Sequence, residues 1–179
     1  MKNRISQNVF FSLILLGLIL ILLLFFYQTI LIGAGRYLAP EGMGKADVVI
    51  LEGAELVEED PAKDAVRLIS SGRASCLVVV HQNSENGKNF DRPLNYNFLL
   101  TQKLENLGLK QNQIKVLEVP SKHPLTLTEA LIVLPNLSKS GVRSAILMSQ
   151  GFHTRRSFWT YKQVGSKLDI KIIPYPYFA

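Results

Sequence analysis

Ala145-Ile146-Leu147-Met148-Ser149-Gln150-Gly151-Phe152-His153-Thr154-Arg155-Arg156-Ser157, running on into Phe158-Trp159-Thr160-Tyr161-Lys162-Gln163-Val164, is the stretch whose reading decides the fold. An apolar run passes through a glycine-containing turn into an amphipathic run, which predicts a strand, a tight turn and a helix. In open α/β sheets ligands bind where the carboxyl end of a strand turns into the next helix, so the site is expected here, with Ser149 and Gln150 as ligand-binding residues. The first turn of such a helix has unpaired N–H groups and partial positive charge, which attract phosphate, sulfate or carboxylate. His153 and Arg156 are three apart and share a helix face, while Arg155 points elsewhere and can lie over Trp159. Arg156 is suited to gripping an anion with two parallel bonds, and His153 to moving a proton near neutral pH. The competing reading is plain solvated surface. Cations at a helix N-terminus are mildly unfavourable, however, and a broken local rule tends to mark function.

On the amino-terminal side of this stretch the same alternation repeats. Ala46-Asp47-Val48-Val49-Ile50-Leu51 predicts a buried strand, followed by the turn Glu52-Gly53-Ala54-Glu55. Asp60-Pro61 starts a helix that Ser71-Gly72 ends. Ser75 to Val80 is a continuous apolar run, as expected of a parallel strand covered on both faces. The polar stretch from His81 to Asn89 predicts a loop, and a helix is expected from about Pro93 to Leu107. Ile114 to Val119 is a third strand. Thr126-Leu127-Thr128-Glu129 has the spacing of a capping box opening the next helix, which Pro135 should kink or shorten and Gly141 finish. Beyond the opening stretch, Asp169 to Ile173 is a fifth strand and Pro174-Tyr175-Pro176-Tyr177 a terminal tail.

Successive strand–helix units imply an α/β, three-layer, Rossmann-like fold with a mostly parallel sheet. His81, His123 and His153, with Glu52, Glu55, Ser121 and Ser149, all fall just past predicted strands and should share one rim. For His81 and His123 an ordinary loop role weighs equally. None of the tight ligand spacings of a metal site is present, so no metal is expected.

Ahead of this domain, Val9 to Tyr27 reads VFFSLILLGLILILLLFFY, without a charge. That is close to the roughly 20 apolar residues that cross a bilayer. The run is too long for the apolar region of a signal peptide, and Gly33-Ala34-Gly35 is a poor cleavage signal, so an uncleaved anchor is expected. The expected division is a cytoplasmic N-terminus over 1–8, a transmembrane anchor over 9–32, a linker over 33–45 and the α/β domain over 46–179. Lys2 and Arg4 precede the span, whereas Arg36 and Lys45 after it are partly offset by Glu41, which places the domain outside the cytoplasm. Tyr27 and Tyr37 are suited to the far interface.

The formal charge is +6, and from Asn136 onward seven Lys or Arg stand against Asp169 alone, so the first 135 residues are formally neutral. Such a field suits an anionic ligand or an anionic membrane surface. Nucleic acid is not an expected partner, since no aromatic–basic RNA motif or helix-turn-helix pattern is visible. The single cysteine, Cys76, lies against Leu77-Val78-Val79-Val80 and reads as a buried structural thiol rather than a nucleophile.

The chain resembles the YdcF-like family, a domain of unknown function that includes SanA- and ElyC-type envelope proteins. The resemblance spans Ala46 to Ile173. It rests on Ala46-Asp47-Val48-Val49-Ile50-Leu51 with Gly53, on Thr126, and above all on Ser149 with Phe152-His153 and Arg156, which matches the family's Thr-Ser-x-Phe/Tyr-His-x-x-Arg turn in order and spacing. It implies a Rossmann-like domain, membrane-anchored in the envelope members, that binds nucleotide-like ligands or serves wall and polysaccharide metabolism. This chain departs from the pattern at Glu52-Gly53-Ala54, His81-Gln82-Asn83 and Glu129, where the family has a multi-glycine turn, Ser-Gly-Gly and asparagine. No dinucleotide fingerprint or phosphate loop is present, so no cofactor is expected.

The functional expectation is an envelope protein acting on or binding an anionic ligand that is phosphorylated, nucleotide-like, or linked to lipid or glycan. His153 is the expected acid or base, with Glu129 or Glu52 orienting or opposing it. Gly53, Thr126, Ser149, Gln150, Arg156 and His81 complete the expected ligand site. Two alternatives stay open: a tethered binding module without chemistry, and an assembly partner for another membrane protein through Gly17 and the leucine-rich span.

Overall fold

The apolar runs form five strands, β1 (Val48–Leu51), β2 (Cys76–Asn83), β3 (Ile114–Pro120), β4 (Ser144–Gln150) and β5 (Lys171–Tyr177). They make one sheet in the order β3-β2-β1-β4-β5, with every neighbouring pair parallel. This is a computed structural model, and it describes residues 2–53, 59–83 and 96–178. The helices are α1 (Lys2–Leu38), α2 (Glu59–Ser70), α3 (Tyr96–Asn106), α4 (Leu125–Lys139) and α5 (Thr154–Ser166). The fold is α/β with an all-parallel sheet, as the repeated strand–helix alternation predicts.

The pleat sorts the strand residues into two cores. Val49, Leu51, Leu77, Val79, Ile146 and Met148 pack with Ala62, Ala65 and Leu68 of α2 and Leu100 and Leu104 of α3. The alternate residues Val48, Ile50, Val78, Val80, Ala145 and Leu147 pack with Ala130, Val133, Leu134 and Leu137 of α4 and Tyr161 of α5. Helices thus cover both faces, which is why the central strands read as continuous apolar runs rather than alternating ones. Because β2 and β3 lie on one side of β1, and β4 and β5 on the other, the winding reverses between β1 and β4. The carboxyl ends of those two strands flank the crevice where such sheets bind ligands.

Several boundaries differ from expectation. β2 continues through His81-Gln82-Asn83, paired with Glu118-Val119-Pro120 of β3, so these residues are strand and not loop. The remainder of that polar stretch, 84–89, the expected helix start at Pro93, and Glu55 lie outside the described residues. The expected capping box is not formed: Pro124 is the N-cap of α4 and Thr126 stands inside its first turn. Pro135 does not shorten α4, which runs to Lys139. The carbonyl it leaves unpaired is that of Leu131, whose side chain is 55 % exposed and on the solvent side.

Pro174 to Tyr177 is the second half of β5 and not a tail. Among the described residues β5 pairs only with β4, and prolines two apart point their missing N–H groups to the same, outer side. On that outer side the carbonyl of Pro174 accepts the Gly42 N–H at 2.8 Å. A side chain at residue 42 would meet Ile173 Cγ2 at 2.6 Å, so only glycine fits there. Arg73 holds the same strap, its guanidinium donating to the carbonyls of Gly44 (3.1 Å) and Gly42 (3.2 Å).

The chain divides into two units, Met1–Tyr37 and Leu38–Ala179. Phe10–Leu38 is long and apolar enough to cross a membrane. α1 extends through the residues expected to begin a linker at 33: Arg36 suits the last turn of a helix, and the chain leaves the helix only just before Pro40.

Candidate functional site

β1 delivers Glu52 to the switch point, and the Glu52 N–H donates to the Met148 carbonyl of β4 at 3.2 Å. The Ser157 hydroxyl, from the first turn of α5, donates to Glu52 Oε1 at 2.9 Å. Ser149, at the end of β4, contacts the Ser157 hydroxyl at 3.2 Å. Ser149 and Ser157 are both buried. Glu52 Oε2 is also buried, yet accepts no hydrogen bond among the described residues. A carboxylate oxygen left in that state is costly, and it marks a place where a donor belongs.

α4 brings a second carboxyl to the same neighbourhood. Glu129 is 1 % exposed, and its position on the stripe shared with Val133 and Leu137 buries it as if it were apolar. Gln82 Nε2 donates to its Oε1 at 2.6 Å, and the buried Tyr161 hydroxyl approaches its Oε2 at 3.5 Å. The Glu129 carboxyl is pushed up to about 7, chiefly by burial and also by the negative charge of Glu52, against the partly opposing hydrogen bonds from Gln82 and Tyr161. Burial, then the charges of Glu129 and Glu52, push the Tyr161 phenol well above its ordinary value. A carboxylic acid that exchanges its proton near neutrality, beside a second carboxyl, is suited to acid–base work.

The turn into α5 is self-organised. The Thr154 hydroxyl, fully buried, lies 2.6 Å from the Gly151 carbonyl and 3.1 Å from that of Ser149. It locks a short 3-10 turn, Gly151–His153, onto the end of β4. His153 and Arg156 are both exposed, and neither side chain hydrogen-bonds to the carboxyl network among the described residues. Lys162 lies over the Trp159 ring, 5.0 Å from its centroid.

Of the residues expected at the site, the network therefore joins Glu52 and Ser149 through Ser157, and holds Glu129 close enough to feel Glu52. Gly53 follows on exposed, left-handed backbone with φ +66°. Gln150 ends β4 exposed, and Thr126 is half-buried in the first turn of α4. His81 is half-buried in β2 opposite Glu118, and His123 is exposed beyond β3. Among the described residues no group of three or more His, Cys, Asp or Glu is placed to hold a metal ion. Cys76 opens β2, and burial raises its thiol pKa, which leaves it a poor nucleophile.

Sequence reasoning missed Ser157, Tyr161 and Gln82. A signal for the first two was present: Thr154, Ser157 and Tyr161 recur at three and four residues along α5, and that polar stripe is its buried face. Gln82 gave none, because its placement depends on β2 running three residues beyond its apolar core.

Fold and site together define a class: an open, doubly wound α/β domain with a polar network at its switch point, in a chain that also carries a helix of transmembrane length. No protein-family model matches the sequence, and no curated protein matches it. Candidate roles rest on the residues themselves.

Proposed function

We propose that this chain is a membrane-anchored, YdcF-like envelope protein whose switch point takes an anionic ligand, phosphorylated, nucleotide-like, or linked to lipid or glycan, and acts on it by acid–base chemistry. The observation that carries the reading is the buried Oε2 of Glu52, without a partner among the described residues, beside the proton-holding Glu129. The first-turn N–H groups of α5, with Arg156 and His153 at that helix start, supply the anion-binding half. Glu52 Oε2 accepts a hydroxyl or amine of the ligand, and Glu129, positioned by Gln82 and Tyr161, supplies or takes the proton. Lys2 and Arg4 ahead of the span keep the N-terminus in the cytoplasm and the domain outside.

One observation favours a second reading, a tethered binding module without chemistry: His153 and Arg156 are exposed and not bonded to the carboxyl network. Calorimetry of residues 39–179, which contain both cores, against inorganic phosphate, nucleotides and sugar phosphates tests both. Arg156→Ala is expected to weaken all three ligand types by about tenfold or more, the worth of one charged hydrogen bond. Glu52→Gln is expected to weaken only those carrying hydroxyls. If the wild-type domain binds none of them, the anion reading is wrong. If it binds them and Glu129→Gln leaves every turnover assay unchanged, the module reading replaces the enzyme.

A further inference from the structure

Phe152 and Phe178 are 61 % and 63 % exposed, yet their rings meet edge to face with centroids 6.1 Å apart. Phe152 lies in the turn after β4 and Phe178 directly follows β5. Because Gln150 pairs with Tyr177 in register, both rings stand at the carboxyl edge of the sheet. The pair is built into the backbone: Gly151, at φ +40°, leaves room for the Phe178 ring, which a Cβ there would approach to 3.2 Å. His153 and Arg156, both exposed, occupy the next turn. Of the seven basic residues from Asn136 onward, Arg155 and Arg156 stand at this turn, whereas Arg143 and Lys171 lie at the starts of β4 and β5, on the opposite edge.

Large aromatic rings beside cationic side chains are what a bilayer interface selects. The rings sit at headgroup level, and the cations are drawn to anionic lipid. The same chain carries a helix of transmembrane length. We propose that Phe152 and Phe178, with His153 and Arg156, form a contact patch that rests on the anionic surface of the bilayer. This inference depends on the membrane-anchor reading and deepens it, since it sets the switch-point crevice at headgroup level and makes its ligand one met at the membrane surface.

Trp159 is the only tryptophan, which allows a direct test on the full chain reconstituted into vesicles with brominated acyl chains. In a Trp159→Phe background, Phe152→Trp reports on the patch and Phe25→Trp on the span. The Trp at 152 is expected to be quenched in phosphatidylcholine–phosphatidylglycerol vesicles and much less in phosphatidylcholine alone. Adding Arg156→Ala is expected to lower the ratio of bound to unbound patch roughly fivefold, the contribution of one basic residue near an anionic surface. Quenching at 25 but not at 152 overturns the patch and leaves the anchor standing. No quenching at either position overturns the anchor and the patch with it. Equal quenching at 152 in both bilayers overturns the recognition of anionic lipid.

Discussion

β1 carries a carboxylate at each end, and the two are treated in opposite ways. Asp47, just before the strand, accepts the N–H groups of Arg143 and Ser144 at 2.8 Å each on Oδ2, with the Ser144 hydroxyl at 3.0 Å. The Arg143 N–H above all holds its carboxyl below the usual range, against a smaller opposing effect of burial. Glu52, just after the strand, has one oxygen on Ser157 and the other buried without a partner among the described residues. Asp47 is a finished joint that ties β1 to the start of β4. Glu52 Oε2 has no partner among the described residues, and a buried polar group in that state calls for an explanation. The carboxylate at the amino edge of the sheet thus serves the fold, and on the proposed function the one at the carboxyl edge is kept for a ligand.

The largest effect that sharpens this contrast is expected at Glu129. Its folded pKa, about 7, lies above the ordinary 4.5, so the native state keeps a proton that the unfolded chain gives up. Stability should therefore be full below the unfolded value and decline as pH rises through the folded one, by roughly 3 kcal/mol in all. Glu129→Gln should remove that decline, leaving a variant more stable than wild type at about pH 8 and similar at about pH 5. Urea titrations at the two pH values measure it, and an unchanged pH slope in the variant would show that Glu129 is not the titrating group. Next in size is Asp47→Ala, which strips acceptors from two N–H groups near the surface and should cost about 1 kcal/mol by thermal or urea unfolding. The stabilisation from Asp47 is present above its ordinary pKa of 3.8 and lost as pH falls through the lowered folded value. Smallest is Glu52→Gln, expected to change stability by no more than about 0.5 kcal/mol, or to raise it slightly, while weakening ligand binding. A loss at Glu52 as large as that at Asp47 would break the contrast and make both ends structural.

The fold was legible because its determinants are local and repeated. Val48 to Leu51, Leu77 to Val80 and Ala145 to Met148 are apolar runs between turn signals, and their number and spacing imply a parallel sheet. Where reading failed, pairing had overridden composition. His81-Gln82-Asn83 looks like a loop but is held as strand by β3, and Pro174 to Tyr177 looks like a tail but lies on an edge, where proline costs little. Glu129, expected both as the end of a capping box and as a partner of His153, does not cap α4, whose N-cap is Pro124; its buried setting follows from the apolar stripe it shares with Val133 and Leu137. Ser157 and Tyr161 lie 105 and 32 residues from the carboxylates they meet. No local pattern encodes such distances; only the order of strands does.

The outer border of β5 has a consequence for how copies of the chain meet. An unpaired strand border offers a template on which a second copy can add its own strand, and copies confined to a membrane collide often. Here Pro174 and Pro176 offer no N–H groups, and the carbonyl of Pro174 is already taken by Gly42. On that side the sheet offers a second copy few groups to pair with, which works against stitching neighbouring copies together through it.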